Sequence, residues 1–213
     1  EIFLVSFESD GKASSQQVMG KHSVRERPFV SSRDGRVVAT LAGDEIIIFE
    51  TEDGKSFTES RVSPFDLGSW GAILSLTIER VKNQSLMIGI FQDSGHGLGS
   101  KKTISALSNE GGDWMIIQTS ELDQVSATED TNFPPIIGFI DPNYLMIVRS
   151  GFSVQYWDIK NDEITPGISV EADSSFPTYL RNLKIFKTVD PPSDFCFGIE
   201  WGRSDPYYMI IDA

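Results

Sequence analysis

The sequence predicts an all-β fold, a β-propeller-like array of four-stranded antiparallel blades, on three observations. β-Branched and aromatic runs of four to eight residues recur along the chain, punctuated by Asp-Gly, Gly-Gly and Pro-Asn turns. No stretch combines helix-capping signals with a sustained 3.6-residue apolar period. The turns themselves repeat: Asp34, in Arg33-Asp34-Gly35-Arg36, and Asp141, in Asp141-Pro142-Asn143, lie 107 residues apart. That is twice a period of roughly 40–60, the range for propeller blades.

The elements follow in order. Residues 1–19 hold a strand from Ile2 to Phe7, the turn Ser9-Asp10-Gly11-Lys12 and a second strand. Residues 29–59 hold four short strands: Phe29 to Ser32, Val37 to Leu41, Glu45 to Phe49, and one after the turn Thr51 to Lys55. Residues 72–119 supply Ile73 to Val81, Leu86 to Phe91, Thr103 to Leu107 and Trp114 to Thr119. Residues 136–170 repeat the pattern with Ile137 to Ile140, Tyr144 to Val148, Ser153 to Trp157 and a fourth strand after the turn Asp158 to Glu163. Residues 183–212 hold Leu183 to Lys187, Phe195 to Ile199 and Tyr207 to Ile211. First turns of the units fall at Asp34, Asn83, Asp141 and near Pro191; second turns fall at Asp10, Asp53, Glu110 and Asn161. Both series keep one period, which unrelated strands rarely do.

Such a unit cannot bury both faces alone, so an array is expected and a single-site enzyme is disfavoured. About four and a quarter units are visible, starting and ending near a third strand. Fewer than four cannot close, and an open array exposes strand edges. The expectation is therefore one propeller domain or segment completed by further blades, from the same gene product or another chain. Glu1 leads straight into Ile2-Phe3-Leu4-Val5 with neither a Met nor a basic region ahead, which is no signal peptide; a start inside a larger gene product, or a trimmed chain, is expected. A β-sandwich or jelly roll is the structural alternative. Three connections stand out: Gly-rich Gln92 to Ser100, acidic Ser120 to Pro135, and the shorter Glu171 to Pro177.

Composition narrows the function. The net charge of −13 repels phosphate, so direct nucleic-acid binding is not expected; it suits solubility or attraction to a basic protein partner. No apolar stretch approaches the roughly 20 residues of a membrane-spanning helix. Cys196 is alone, so no intrachain disulfide forms, which fits an intracellular, cytoplasmic or nuclear setting. His22, His96 and Cys196 are too dispersed for a zinc site. Gly95-His96-Gly97-Leu98-Gly99-Ser100-Lys101-Lys102-Thr103 misses the phosphate-loop spacing and leads into a strand instead of a helix. Acid pairs Asp44-Glu45, Glu129-Asp130 and Asp162-Glu163 read as solvated turns, because neighbouring strand residues point to opposite faces. No Gly-x-Ser-x-Gly signature is present, and Asn83-Gln84-Ser85, a formal glycosylation sequon, reads as a hairpin turn. No cofactor is expected.

The stretch Arg33-Asp34-Gly35-Arg36-Val37-Val38-Ala39, followed by Ile46-Ile47-Ile48-Phe49-Glu50, resembles the middle of a WD40-type blade. In that family a Ser-x-Asp-Gly turn leads to an inner strand and then to a strand closing on Trp-Asp. Tyr156-Trp157-Asp158 reproduces the Trp-Asp dipeptide, Phe49-Glu50 is a degenerate copy, and Gly20-Lys21-His22 loosely echoes the family's Gly-His element. The resemblance covers nearly the whole chain but is specific in only two units. It implies a propeller of about seven blades and a role in protein assembly.

Surface recognition is the favoured function. Trp70, between Gly68 and Gly71, and Trp201, beside Gly202-Arg203, fall in expected loops, and Trp and Arg dominate binding hot spots. Filling a gap between neighbouring units is the plainer role for each Trp. Arg149 and Arg203 occupy the same unit position, between second and third strands. The leading reading is a non-catalytic interaction scaffold. The alternative is a propeller-fold hydrolase using carboxylates near the central channel, with Glu79, Glu200 and Asp205 as first suspects.

Overall fold

The structure, a computed structural model, describes residues 2–7, 13–19, 29–69, 71–81, 85–94, 101–122, 135–149, 153–169, 182–187, 194–200 and 207–212. Its strands are β1 (Ile2–Phe7), β2 (Ala13–Met19), β3 (Phe29–Ser31), β4 (Val37–Ala42), β5 (Glu45–Glu50), β6 (Thr58–Val62), β7 (Ala72–Arg80), β8 (Leu86–Asp93) and β9 (Lys102–Ser108). They continue with β10 (Met115–Glu121), β11 (Ile136–Asp141), β12 (Tyr144–Val148), β13 (Ser153–Asp158), β14 (Glu163–Ser169), β15 (Asn182–Lys187), β16 (Asp194–Glu200) and β17 (Tyr207–Asp212). For β1, β2 and β15 to β17 only the backbone is described. The described residues contain no helix, and hence none long and apolar enough to cross a membrane.

Three sheets are complete four-stranded meanders in chain order, β3 to β6, β7 to β10 and β11 to β14, all antiparallel. β1 pairs with β2, and β15 to β17 form a three-stranded sheet. Strand ends depart from the sequence expectation in several places. β6 runs on to Val62, β8 to Asp93 and β10 to Glu121, into stretches expected to be loops. The cause is backbone pairing: Gln92 and Asp93 lie opposite Thr103 and Lys102, and a ladder needs no apolar side chain. The segments 95–100, 123–134 and 170–181, with the Gly-His echo at 20–22, lie outside the described residues.

Alternation within the strands sends each apolar set to one neighbour. In β8, Leu86, Ile88 and Ile90 face the β3–β6 sheet, packing with Val37, Ala39, Leu41, Ile46, Ile48 and Val62. The intervening Met87 and Phe91 face the β11–β14 sheet, packing with Phe139, Leu145, Ile147 and Trp157. A central strand buried on both faces is incompatible with a two-layer sandwich, in which each sheet keeps one face in water. The sheets also converge. Close approaches between sheets involve first and second strands, β3 and β4 with β7, β7 and β8 with β11, and β11 with β15. The outer strands β6, β10 and β14 are not among these close approaches. This is the wedge geometry of propeller-like blades.

One slot repeats through all three sheets. Phe49, Leu107 and Trp157 each precede the last residue of a third strand, and all are buried. Leu107 faces the β3–β6 sheet, Trp157 faces the β7–β10 sheet, and Phe49 lies on the side of its sheet turned away from β7–β10. Each therefore faces back along the chain. The indole N–H of Trp157 donates to Asp162 Oδ1 at 3.1 Å.

The turns are closed by carboxylates. The Ser32 hydroxyl donates to Asp34 Oδ1 at 2.5 Å, the Arg36 amide does so at 3.0 Å, and Gly35 supplies a φ of 67°. Asp53 Oδ1 accepts from the Lys55 and Ser56 amides at 2.7 and 2.8 Å, and Asp158 Oδ1 accepts from the Asn161 amide at 3.1 Å. Burial raises the Asp34 carboxyl, but the Ser32 hydroxyl, the Arg36 amide and the Arg80 and Arg36 charges together hold it below its ordinary value. The Ser56 and Lys55 amides lower Asp53, and the Asn161 amide and side chain lower Asp158. A depressed folded-state pKa contributes stability above the ordinary carboxylate value of 3.8, lost as pH falls through the folded value. Urea midpoints are thus expected to drop from about pH 5 downward, and Asn at all three positions should flatten that acid limb. An unchanged slope in the triple variant would refute the assignment.

Candidate protein-binding end of the array

The two ends of the sheets differ. Arg33, in the β3–β4 turn, donates from Nε to Glu79 Oε2 at the end of β7 at 3.0 Å. Its Nη2 reaches the carbonyls of Phe139 and Ile140, near the end of β11, at 3.3 and 2.7 Å. Arg80 returns the exchange, lying 3.5 Å from both Asp34 and Glu50. The last residues of β3, β7 and β11 therefore meet at one end, so these first strands run parallel. Their starts share the opposite end, where the β4–β5, β6–β7, β8–β9 and β12–β13 connections also lie.

That opposite end carries exposed apolar groups. Phe29 at the start of β3 is 48% exposed, Leu74 near the start of β7 is 38% exposed, and Phe65 in the β6–β7 connection is 51% exposed. The Phe65 connection is firmly built. Pro64 opens a single turn in which the Asp66, Leu67, Gly68 and Ser69 amides bond back to Ser63, Pro64, Phe65 and Pro64 carbonyls. Gly68, with φ 89°, ends the turn in a conformation open to glycine. Leu67 packs inward on the core, which leaves its neighbour Phe65 directed outward. Past the turn, the Ser69 hydroxyl donates to Gln92 Oε1 and Gln92 Nε2 donates to the Gly71 carbonyl. Gln92 is buried, and a Cβ on Gly71, whose φ is 129°, would lie 2.8 Å from the Asp93 carbonyl oxygen.

Of the four residues singled out in the sequence, Arg149 alone is described, in the β12–β13 connection at this end. Arg149 directly follows β12 and is only 9% exposed, so its guanidinium sits beneath the surface. Trp70, Trp201 and Arg203 lie outside the described residues. Sequence reasoning missed Phe65, Phe29 and Leu74. The signal for Phe65 was the one used for Trp70, a large aromatic in an expected loop, here between Pro64 and Gly68. Of the carboxylates suspected for hydrolysis, Glu79 is held by Arg33 at 3.0 Å, at the far end from Phe65. Only the backbone of Glu200 is described, and Asp205 lies outside. Among the described residues no cluster of His, Cys, Asp and Glu could hold a metal.

No protein-family model matches the chain, and no curated protein matches it. Among solved structures, the one described as "YCF48 bound to D1 peptide" is similar over 89% of this chain at 15% identity and a TM-score of 0.34. This chain covers 65% of that one, and a likeness so distant carries no functional argument.

Proposed function

We propose that the chain is a non-catalytic protein-interaction scaffold, a WD40-like propeller subunit or segment that takes protein partners at the end bearing Phe65. Phe65 carries this reading: a large aromatic stays half exposed on a connection fixed by buried polar bonds, the arrangement of a rigid binding anchor. The Ser32-Asp34-Gly35 turn and the recurring Phe49, Leu107 and Trp157 slot support the WD40-like assignment. The net charge of −13 favours a basic partner. The two-stranded β1–β2 sheet and three-stranded β15–β17 sheet suit completion by further blades from the same gene product or another chain.

Affinity purification of the full-length protein tests the reading. Phe65→Ala is expected to leave the free energy of unfolding within about 0.5 kcal/mol of wild type, as exposed substitutions do, while stoichiometric partners are lost. Full recovery of every partner with Phe65→Ala would overturn it.

A further inference from the structure

A second surface, on the rim, is independent of the Phe65 end. Three outer strands close the complete sheets, and they are protected unequally. Along β6, Arg61 pairs with Glu59 and Glu45, and charge along an edge discourages pairing. In β14, Pro166 removes a backbone donor in mid-strand. β10 has neither device: its sequence, Met-Ile-Ile-Gln-Thr-Ser-Glu, is uncharged until Glu121. Met115 is 50% exposed and Ile117 42% exposed.

The backbone there is suitably turned. Leu122 donates to the Lys102 carbonyl, making that an inward-bonded pair, so Glu121 and Thr119, one and three residues back, direct their backbone groups outward. The Thr119 hydroxyl lies 2.8 Å from that of Ser105, the close approach of a pair not joined by backbone bonds. Ile117 is the extra residue of a bulge between Ile116 and Gln118, which confines the regular ladder to the stretch after it. No strand among the described residues pairs with the outer side of β10. Charge selects the occupant. Glu110 and Asp113 are exposed just before the strand, while Glu121 at its other end is matched by Lys101. A second copy of this chain, with the same net charge of −13, would be repelled.

We propose that β10 accepts a short extended segment of a partner protein by strand addition, apolar and β-branched opposite Ile117 to Glu121 and basic where it passes Glu110 and Asp113. Backbone bonds would supply affinity, and the exposed Met115 and Ile117 side chains with the acidic turn would select sequence and direction.

The probe is a synthetic eight-residue peptide of alternating Val and Thr ending in two Arg, titrated into the full chain with amide hydrogen exchange as readout. The expected result is rapid exchange at Thr119 and Glu121 in the free protein, slowed on peptide addition. The apparent Kd should weaken at least tenfold in Ile117→Lys and with a peptide carrying Glu for Arg. Met115→Lys serves if Ile117→Lys unfolds. Prior protection of both amides, which would mean that the chain covers its own edge, overturns the proposal. So does a concentration-dependent dimer involving β10, or binding indifferent to peptide charge. Phe65→Ala should not alter this titration, so the two surfaces succeed or fail separately.

Discussion

Gly89→Val is expected to lower the stability of the array by about 3 kcal/mol, the upper part of the usual cost of overpacking a core. Gly89 lies in β8, where a strand interior ordinarily disfavours glycine by about 0.5–1 kcal/mol, so replacing it should help if space allowed. Space does not allow it. A Cβ there would sit 2.5 Å from Leu145 Cδ1 and 2.8 Å from Thr77 Cγ2, with Phe139 Cζ at 3.6 Å. Leu145 belongs to the next sheet and is fully buried, so its methyl cannot swing into water. The missing side chain of Gly89 thus lets one blade's leucine seat against the next blade's central strand. Leu145→Ala alone should cost about 2–5 kcal/mol through the cavity it leaves. Combined with Gly89→Val, the two costs should fall short of their sum by about 1–3 kcal/mol, since the added methyls enter the vacated space. Urea denaturation of the four proteins in the cycle measures this. Strict additivity would mean that the two sheets do not meet at this point.

The contact explains which parts of the architecture were legible in the residues. Strand identity was readable because Val37 to Leu41, Glu45 to Phe49 and Tyr144 to Val148 combine β-rich composition with Asp- and Gly-bearing turns, and both signals are local. The alternation along β8 was obscured because both of its faces are buried, so Leu86 to Phe91 reads as one apolar run and names neither neighbour. Gly89 carries no local signal of its role; only the approach of Leu145 gives it a purpose. The binding end was partly legible. An aromatic in a turn, the reason for choosing Trp70, applies equally to Phe65, but exposure depends on Leu67 and not Phe65 finding the core. Arg149 shows the converse: its position between second and third strands was readable, its burial was not. The pairing of Arg33 with Glu79, and its reach to Phe139 and Ile140, join residues 46 to 107 positions apart, beyond any local pattern.

Trp157→Ala is expected to cost about 3–5 kcal/mol, the range for deleting a buried aromatic, and more than Leu107→Ala in the equivalent slot. Trp157 is fully buried against the β7–β10 sheet, so its loss opens a cavity between blades, whereas Leu107 leaves a smaller one. The hydrogen bond contributes separately. Trp157→Phe keeps most of the ring but removes the donor to Asp162, a bond worth about 1 kcal/mol net. Asp162 complicates the other side of the pair because its φ of 52° is one that most residues resist. Asp162→Asn keeps both an acceptor and tolerance of that conformation, so it should be nearly neutral. Asp162→Gly relieves the backbone while losing the acceptor, two changes of opposite sign and similar size. Asp162→Ala loses both and should be the worst of the three, by about 1–2 kcal/mol. Thermal or urea unfolding of this series separates packing from bonding. If Trp157→Ala proved no costlier than Leu107→Ala, the two side chains would not fill equivalent wedges, and the backward-facing slot would lose its place as the repeating element of the array.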